Sequence, residues 1–187
     1  MRLFYAIELG DELLDLLDER TAPLRSEAPE LAWVPREKRH LTLKFLGDVE
    51  EAAVSKLADA ADRAAARHPP LDMRVREIGA FPIFRRARVV WIGVEQEPRL
   101  ELLHHDLELA CAEEGFEIEG RPFRPHVTLA RVRVPLPVER LRAFARMARA
   151  VRMQATVHVE RITLFESTLA PNGARYRRIH AAPLGGH

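Results

Sequence analysis

Two short segments of this 187-residue chain carry the same polar pair, a histidine and a threonine separated by one apolar residue. The pairs are His40 with Thr42 and His126 with Thr128. Both segments alternate polar and apolar residues, which is typical of a β-strand with one buried face. In a strand the members of each pair point to the same side, about 6–7 Å apart. One such pair alone is weak evidence, but two in one chain indicate a paired functional site.

Two histidines and two threonines are the groups needed to open a cyclic phosphodiester. The reaction needs a base that deprotonates water and an acid that protonates the leaving oxygen. Histidine can serve in either role because its unperturbed pKa is about 6.5. A threonine hydroxyl can donate a hydrogen bond to a phosphate oxygen as negative charge grows there. We therefore predict that His40, Thr42, His126 and Thr128 surround one phosphate, with the acid and base roles left open at this point.

The motifs recur at an offset that also relates the rest of the chain. Their histidines are 126 − 40 = 86 residues apart. Periodicity predicts strands over residues 2–9, 40–47, 71–80, 88–95, 126–132, 152–166 and 175–181 and helices over 11–27, 50–67, 98–114 and 137–150. An 86-residue shift moves each element of the first half onto an element of the same type. This agreement indicates an internal duplication.

The duplication predicts the architecture. We expect one α+β domain over residues 1–187, made of two pseudo-symmetric lobes that carry the HxT motifs 40–42 and 126–128. Antiparallel sheets should line a central cleft, with the helices on the outside. No Pro/Gly-rich linker separates the halves. A pseudo-twofold axis would turn the two His-Thr pairs toward each other across the cleft.

Composition excludes several other classes of protein. The single cysteine, Cys111, allows neither an intramolecular disulfide nor a cysteine metal cage. No HExxH motif, paired-carboxylate motif or Gly-rich phosphate loop is visible, so we expect no metal and no cofactor. No stretch approaches the roughly 20 apolar residues of a membrane span, and the N-terminus lacks a long apolar signal region. We expect a cytoplasmic monomer that does not associate with membranes.

The segments HLTLKFLG and RPFRPHVTLARV resemble the paired signature motifs of the two-histidine (2H) phosphoesterase superfamily. The likeness is greatest to its RNA 2′,3′-cyclic phosphodiesterase branch, also called 2′-5′ RNA ligases, and it extends to RLFYAIEL, RVVWIGV and LFES…ARYRRI. It implies metal-independent hydrolysis of RNA 2′,3′-cyclic phosphate ends to 2′-phosphates and reversible, ATP-independent 2′-5′ joining of tRNA halves. It further implies that His40 is the general acid and His126 the general base.

Four further residues are candidates for substrate binding. Arg131 completes an HxTLxR pattern whose arginine the resemblance puts near the phosphate, although simple alternation points it away from His126. Lys44 shares the His40 side of its strand by the same alternation. Phe84, in an FPIFRR segment, could stack on a nucleobase, as aromatic residues do with single-stranded RNA. Arg124 precedes the second motif and could hold a phosphate.

Two alternatives to RNA-end hydrolysis remain open from the residues. The chain could be a nucleotide- or RNA-end-binding module with little catalysis, although a binder does not need both histidines. It could also act on another cyclic phosphate, such as ADP-ribose 1″,2″-cyclic phosphate. Turnover of nucleoside 2′,3′-cyclic phosphates, with and without a chelator, separates the binding module from the enzyme, and a substrate panel separates the two enzymes.

Overall fold

A computed structural model describes residues 1–171 and 173–185. The predicted domain extends over residues 1–187, of which residues 172, 186 and 187 lie outside the described part. The strands and α-helices of the described part are, in chain order, β1 (Arg2–Glu8), α1 (Asp11–Glu27), β2 (Ala32–Trp33), β3 (His40–Asp48), α2 (Val54–Ala65), β4 (Leu71–Phe81), β5 (Val89–Val94), α3 (Pro98–Glu113), β6 (His126–Arg131), α4 (Val138–Ala150), β7 (Ala155–Val159), β8 (Arg161–Ala170) and β9 (Gly173–Pro183).

The helix ends follow from local sequence. Helix α3 has a proline in its first turn, where the missing N–H costs nothing. The side chain of Glu97 accepts a hydrogen bond from the Arg99 N–H and so caps this end. At the other end Gly115 has φ +88°, a left-handed conformation that glycine adopts without strain. These residues stop the helix before the loop that leads to the second motif.

The strands form one antiparallel sheet in the order β7-β4-β5-β6-β3-β1-β8-β9, with the short β2 paired to β6. This order is symmetric about the junction of β6 and β3. The long strand that follows the second helix of each half pairs with the first strand of the other half, β4 with β5 and β8 with β1. The predicted α+β class with mainly antiparallel sheet is therefore confirmed, and the origin of the two halves by duplication stays a prediction.

Two details of the predicted elements were wrong. The single strand predicted over residues 152–166 is divided at Glu160 into β7 and β8. The two pieces have different partners, because β7 pairs with β4 and β8 pairs with β1. The break lets the chain pass from one edge of the sheet to the opposite half.

The second error concerns the offset between β1 and β5. Glu8 pairs with His40 and Gly93 pairs with His126, so the first strands are related by 93 − 8 = 85 residues, whereas the motif strands are related by 86. A one-residue change of register exchanges the two faces of a strand. The residue in β5 that corresponds to Glu8 is therefore Gly93.

A hydrophobic core separates the sheet from the helices. The apolar residues of the two motifs, Leu41 and Val127, are fully buried in it. Tyr5, on the same side of the sheet, donates a hydrogen bond from its hydroxyl to the backbone carbonyl of Leu57 in α2, at 2.7 Å. The histidine and threonine of each motif point to the opposite side of the sheet, which the helices do not cover. No helix among the described residues is long and apolar enough to cross a membrane.

Candidate active site

The junction of β3 and β6 brings the two motifs together. These strands are antiparallel, and Leu41 is paired with Val127. The same register puts His40 opposite Thr128 and Thr42 opposite His126. Directly opposite Cβ atoms in such a pair are about 4.5–5.5 Å apart, and diagonal neighbours about 7–8 Å. The two histidines therefore lie on one diagonal of a small rectangle, and the two threonines lie on the other.

Each motif strand contains a β-bulge two residues after the motif's central apolar residue. In the first strand, β1 residues 5 and 6 pair with Lys44 and Thr42, so Leu43 has no partner. In the second, β5 residues 90 and 91 pair with Ala130 and Thr128, so Leu129 has none. An extra residue on one strand reverses the alternation beyond it. Residues after the bulge therefore point to the side opposite to the one that simple alternation predicts.

The first bulge overturns the predicted position of Lys44. It also exposes Phe45, which simple alternation would bury with Leu41. Phe45 is 70% exposed, and its ring centroid lies 6.0 Å from that of Phe4. Lys44 points into the core instead of the cleft. Its Nζ donates hydrogen bonds to Glu108 Oε2 in α3 and to the Glu117 carbonyl, each at 2.7 Å. The prediction that Lys44 binds substrate is corrected, because its charge is neutralised inside the protein.

We expect Lys44→Ala to lower the free energy of unfolding by about 3–5 kcal/mol, because it leaves the buried Glu108 carboxylate without its cation. Urea denaturation at pH 7 measures this change. A suitable control is Arg63→Ala, which removes the exposed ion pair with Glu114 and should cost no more than about 1 kcal/mol. A Lys44→Ala variant of unchanged stability but reduced turnover would contradict this assignment and return Lys44 to the substrate.

The second bulge turns Arg131 toward the His126 side of the sheet. The Arg131 side chain is exposed on this side. The resemblance to the 2H motif predicts this position, whereas simple alternation predicts the opposite side. Its positive charge contributes to lowering the pKa of His126. An arginine at this place can hold a phosphate with two parallel hydrogen bonds. Its role in phosphate binding stays a prediction.

Both histidine rings are oriented by the same kind of hydrogen bond, from Nδ1 to the backbone carbonyl two residues earlier. His40 Nδ1 lies 2.9 Å from the Lys38 carbonyl, and His126 Nδ1 lies 2.7 Å from the Arg124 carbonyl. A carbonyl oxygen can only accept, so Nδ1 must carry the hydrogen in each ring. This tautomer leaves Nε2 as the nitrogen that can take up or release a proton.

Aromatic side chains surround His40. Its ring centroid lies 4.9 Å from that of Phe4, 5.3 Å from that of Tyr176 and 6.4 Å from that of Phe165. Burial among these rings lowers the pKa of His40 to about 4, against a smaller raising effect of the hydrogen bond to Lys38. In the protein without substrate, the His40 imidazole is therefore neutral at pH 7.

His126 has a different set of aromatic neighbours, namely Phe81 with a ring-centroid distance of 5.0 Å and Trp91 at 6.4 Å. Burial lowers the pKa of His126 and the charge of Arg131 lowers it further, while the Arg124 carbonyl opposes the shift. Both imidazoles are thus neutral at pH 7 in the free protein. Each can act as a base directly, and each can act as an acid once a bound phosphate anion has raised its pKa.

The two sides of the site differ because β1 and β5 present different residues. Beside His40, Glu8 accepts hydrogen bonds from Thr163 and Arg178. Beside His126, the corresponding residue is Gly93, and the Trp91 indole lies across the strand in the freed space. A Cβ on Gly79 would come within 2.3 Å of this indole and one on Gly93 within 2.9 Å.

A cavity of about 490 Å³ lies beside His126, lined by Trp91, Arg124 and Phe81 among others. The buried Trp91 Nε1 has no hydrogen-bond partner in the described part of the chain. Apolar rings and an exposed guanidinium suit a nucleoside with a phosphate attached. The predicted substrate contact Arg124 is therefore next to His126, although its binding role stays a prediction.

The sequence did not identify every residue near the histidines. Phe84 belongs to a separate groove beside α4, and Phe81 is the aromatic residue of that segment that contacts His126. Phe165 and Tyr176 come from strands more than 120 residues away from His40, and no local pattern indicated them. Within residues 1–171 and 173–185 no group of three or more His, Cys, Asp or Glu side chains could hold a metal ion.

Comparison with known proteins identifies the family of this chain. The profile of the 2′-5′ RNA ligase superfamily matches residues 14–170. A protein of Thermotoga maritima named RNA 2′,3′-cyclic phosphodiesterase is 32% identical over 187 residues, covering 100% of this chain and 97% of that protein. A protein of the same name from Geobacillus stearothermophilus is 31% identical over 98% of this chain, which spans only 57% of that relative's length.

Solved structures resemble the chain over its whole length. The crystal structure of TT0787 of Thermus thermophilus has a TM-score of 0.84 and 30% identity, and covers 100% of both chains. The crystal structure of E. coli LigT complexed with 3′-AMP has a TM-score of 0.74 and 28% identity, and covers 98% of this chain and 97% of that one. The second protein holds a nucleoside monophosphate within the same fold.

Proposed function

Because the chain belongs to the 2′-5′ RNA ligase superfamily of two-histidine phosphoesterases, we propose that it hydrolyses the 2′,3′-cyclic phosphate ends of RNA to 2′-phosphates. The reaction needs no metal ion and no cofactor. With an RNA 5′-hydroxyl in place of water, the same groups would form a 2′-5′ linkage without ATP, as in the joining of tRNA halves.

One observation carries this proposal. Two histidines lie on the diagonal of one strand junction, each with Nδ1 bound to a backbone carbonyl and with Nε2 unbonded among the residues that the structure describes. A phosphorus atom between them would have one Nε2 on the side of the attacking oxygen and the other on the side of the leaving oxygen. This is the arrangement that an in-line displacement requires.

The mechanism follows from these positions. His126 Nε2 accepts a proton from water as the water oxygen attacks phosphorus. The bond from phosphorus to O3′ breaks, and His40 Nε2–H donates its proton to O3′, which leaves the phosphate on O2′. Thr42 and Thr128 donate hydrogen bonds to the non-bridging oxygens, and Arg131 neutralises their charge. Afterwards His126 has gained a proton and His40 has lost one, so both must exchange protons with solvent.

Product analysis tests the proposal. A nucleoside 2′,3′-cyclic phosphate and an RNA oligomer ending in one should both be hydrolysed. EDTA should change neither rate, and ³¹P NMR should show the 2′-phosphate alone. A 3′-phosphate product would mean that the leaving oxygen is O2′ and that the substrate binds in the opposite orientation. Binding without turnover would favour the binding-module alternative.

The same assay also tests the alternative substrate class. ADP-ribose 1″,2″-cyclic phosphate presents the same cyclic ester on a different sugar position. The relatives are named RNA 2′,3′-cyclic phosphodiesterase, and this favours RNA. A monomeric state and a cytoplasmic location stay predictions from the sequence.

A further inference from the structure

Positive charge is concentrated in one part of the chain. The whole sequence has 29 basic and 28 acidic residues, but the segment 121–152 has nine arginines and one glutamate. The remaining residues therefore have 29 − 9 = 20 basic and 28 − 1 = 27 acidic side chains. A nearly neutral protein thus carries one strongly basic segment, and most of this charge lies outside the candidate active site.

Part of this segment forms one wall of a groove. The groove has a volume of about 850 Å³ and lies between helix α4 and the loop that joins β4 to β5. Its apolar surface includes Ile83 and Val138, which are 52% and 63% exposed. Its basic rims are formed by Arg85 and Arg86 from the loop and by Arg142, Arg146 and Arg149 from α4. We call this surface the α4 groove.

The arginines of the α4 groove have almost no acidic partners. Among the described residues, Arg85, Arg86 and Arg146 form no ion pair, and Arg142 pairs only with Glu139 of its own helix. Arg149 lies over the Phe84 ring, 5.1 Å from its centroid. Their charge is therefore available to an anionic ligand from outside the chain.

The corresponding helix of the first half provides an internal comparison. Helix α2 has Lys56 and Arg63 against Asp59 and Asp62, a net charge of zero. Helix α4 has four arginines against one glutamate, a net charge of +3. The two helices hold equivalent positions in the strand-helix order of their halves. The fold therefore does not require the charge of α4, and a ligand of that helix would account for it.

The loop that forms one wall of the α4 groove begins close to His126. Phe81, whose ring contacts His126, is only two residues before Ile83. At the other end of the loop, the Arg88 carbonyl accepts a hydrogen bond from the Val132 N–H, beside Arg131. The loop thus leads from the edge of the candidate active site to the groove.

We propose that the α4 groove binds single-stranded RNA on the 5′ side of the cyclic phosphate. This inference rests on the proposed function, since it assumes that an RNA end occupies the site between the histidines. Arginines bind phosphates in a bidentate manner, and apolar and aromatic surfaces bind sugars and bases without regard to sequence. The groove gives longer substrates an affinity that a mononucleotide lacks.

The double variant Arg85→Ala/Arg146→Ala, with one change on each rim, tests the proposal. For an RNA of about eight nucleotides ending in a cyclic phosphate, we expect kcat/KM to fall about 25-fold at 0.1 M salt. Each lost phosphate contact removes roughly 0.7 from the slope of log(kcat/KM) against log salt, so two contacts remove about 1.4 log units at 0.1 M salt relative to a reference of about 1 M. The slope of log(kcat/KM) against log salt should become shallower by about 1.4. Turnover of the nucleoside 2′,3′-cyclic phosphate should stay within about twofold of wild type.

The control is Lys56→Ala/Arg67→Ala, which removes equal charge from α2 and its C-terminal end and should leave both rates unchanged. Equal losses on the two substrates, or no loss on either, would overturn the proposal. If the wild-type protein hydrolyses neither substrate, the proposed function fails. Fluorescence anisotropy with the same RNA then decides on the groove, because binding should still weaken in the Arg85→Ala/Arg146→Ala variant and not in the control.

Discussion

Replacing His126 or His40 by alanine should lower kcat for a nucleoside 2′,3′-cyclic phosphate by about 10²–10⁴-fold, because each change removes one general acid or base. Both rings lie on the side of the sheet that the helices do not cover, and within the described residues each makes one hydrogen bond, to a neighbouring carbonyl. The fold should therefore persist, and circular dichroism and urea denaturation check that it does. The rates are measured at saturating substrate.

Two comparisons make this result specific. His158→Ala removes a histidine that pairs with Asp72 on the exposed surface, and its kcat should equal that of wild type. Thr42→Val and Thr128→Val each remove one hydrogen bond to a charged group, worth roughly 1.5–3 kcal/mol, and should lower kcat by about 10–150-fold. Near wild-type rates in both His40→Ala and His126→Ala would contradict the enzyme and favour the binding module.

The motif residues could be predicted from the sequence because their geometry is local. Alternation within two strands puts His40 with Thr42 and His126 with Thr128, and the offset of 86 predicts that the pairs meet. The structure joins them through a single paired position, Leu41 with Val127.

The residues beyond each motif could not be predicted, because the ladder with a neighbouring strand decides their direction. The bulges at Leu43 and Leu129 reverse the alternation, which buries Lys44 and turns Arg131 to the histidine side. Nothing in HLTLKFLG marks the bulge, since either register exposes one large residue, Lys44 or Phe45. The aromatic neighbours of His40 could not be predicted for a related reason. Tyr176 lies beside His40 because of the order of the strands in the sheet.

The pH dependence of activity follows from the lowered histidine pKa values but does not assign their roles. Hydrolysis needs one neutral and one protonated imidazole, so kcat/KM should give a bell-shaped profile with its maximum below about pH 6.5. On the acid side the base becomes protonated, and on the alkaline side the acid loses its proton. Because His40 has a pKa of about 4 and that of His126 is also lowered, both limbs shift toward acid. The bell has the same shape whichever histidine is the acid, since the two limbs belong to the pair.

A change of leaving group separates the two roles. Replacing O3′ of the cyclic phosphate by sulfur gives a thiolate leaving group, which needs little protonation because a thiol has a pKa of about 8.5. If His40 is the general acid, the His40→Ala defect should shrink from about 10²–10⁴-fold to less than about tenfold on this substrate. The His126→Ala defect should persist in full, because water must still lose a proton as it attacks.

The opposite pattern would reverse the assignment. Rescue of His126→Ala by the sulfur substrate would make His126 the acid and His40 the base, and the low pKa of His40 would then fit a base that is already neutral in the free protein. Rescue of neither variant would mean that protonation of the leaving atom does not limit the rate. The two halves of the site have equivalent histidines and the same hydrogen bond to a carbonyl, so the difference in role must come from how the ribose binds. The Glu8, Thr163 and Arg178 cluster beside His40 and the cavity beside His126 provide that difference, and the proposed roles require a substrate oriented with its O3′ toward His40.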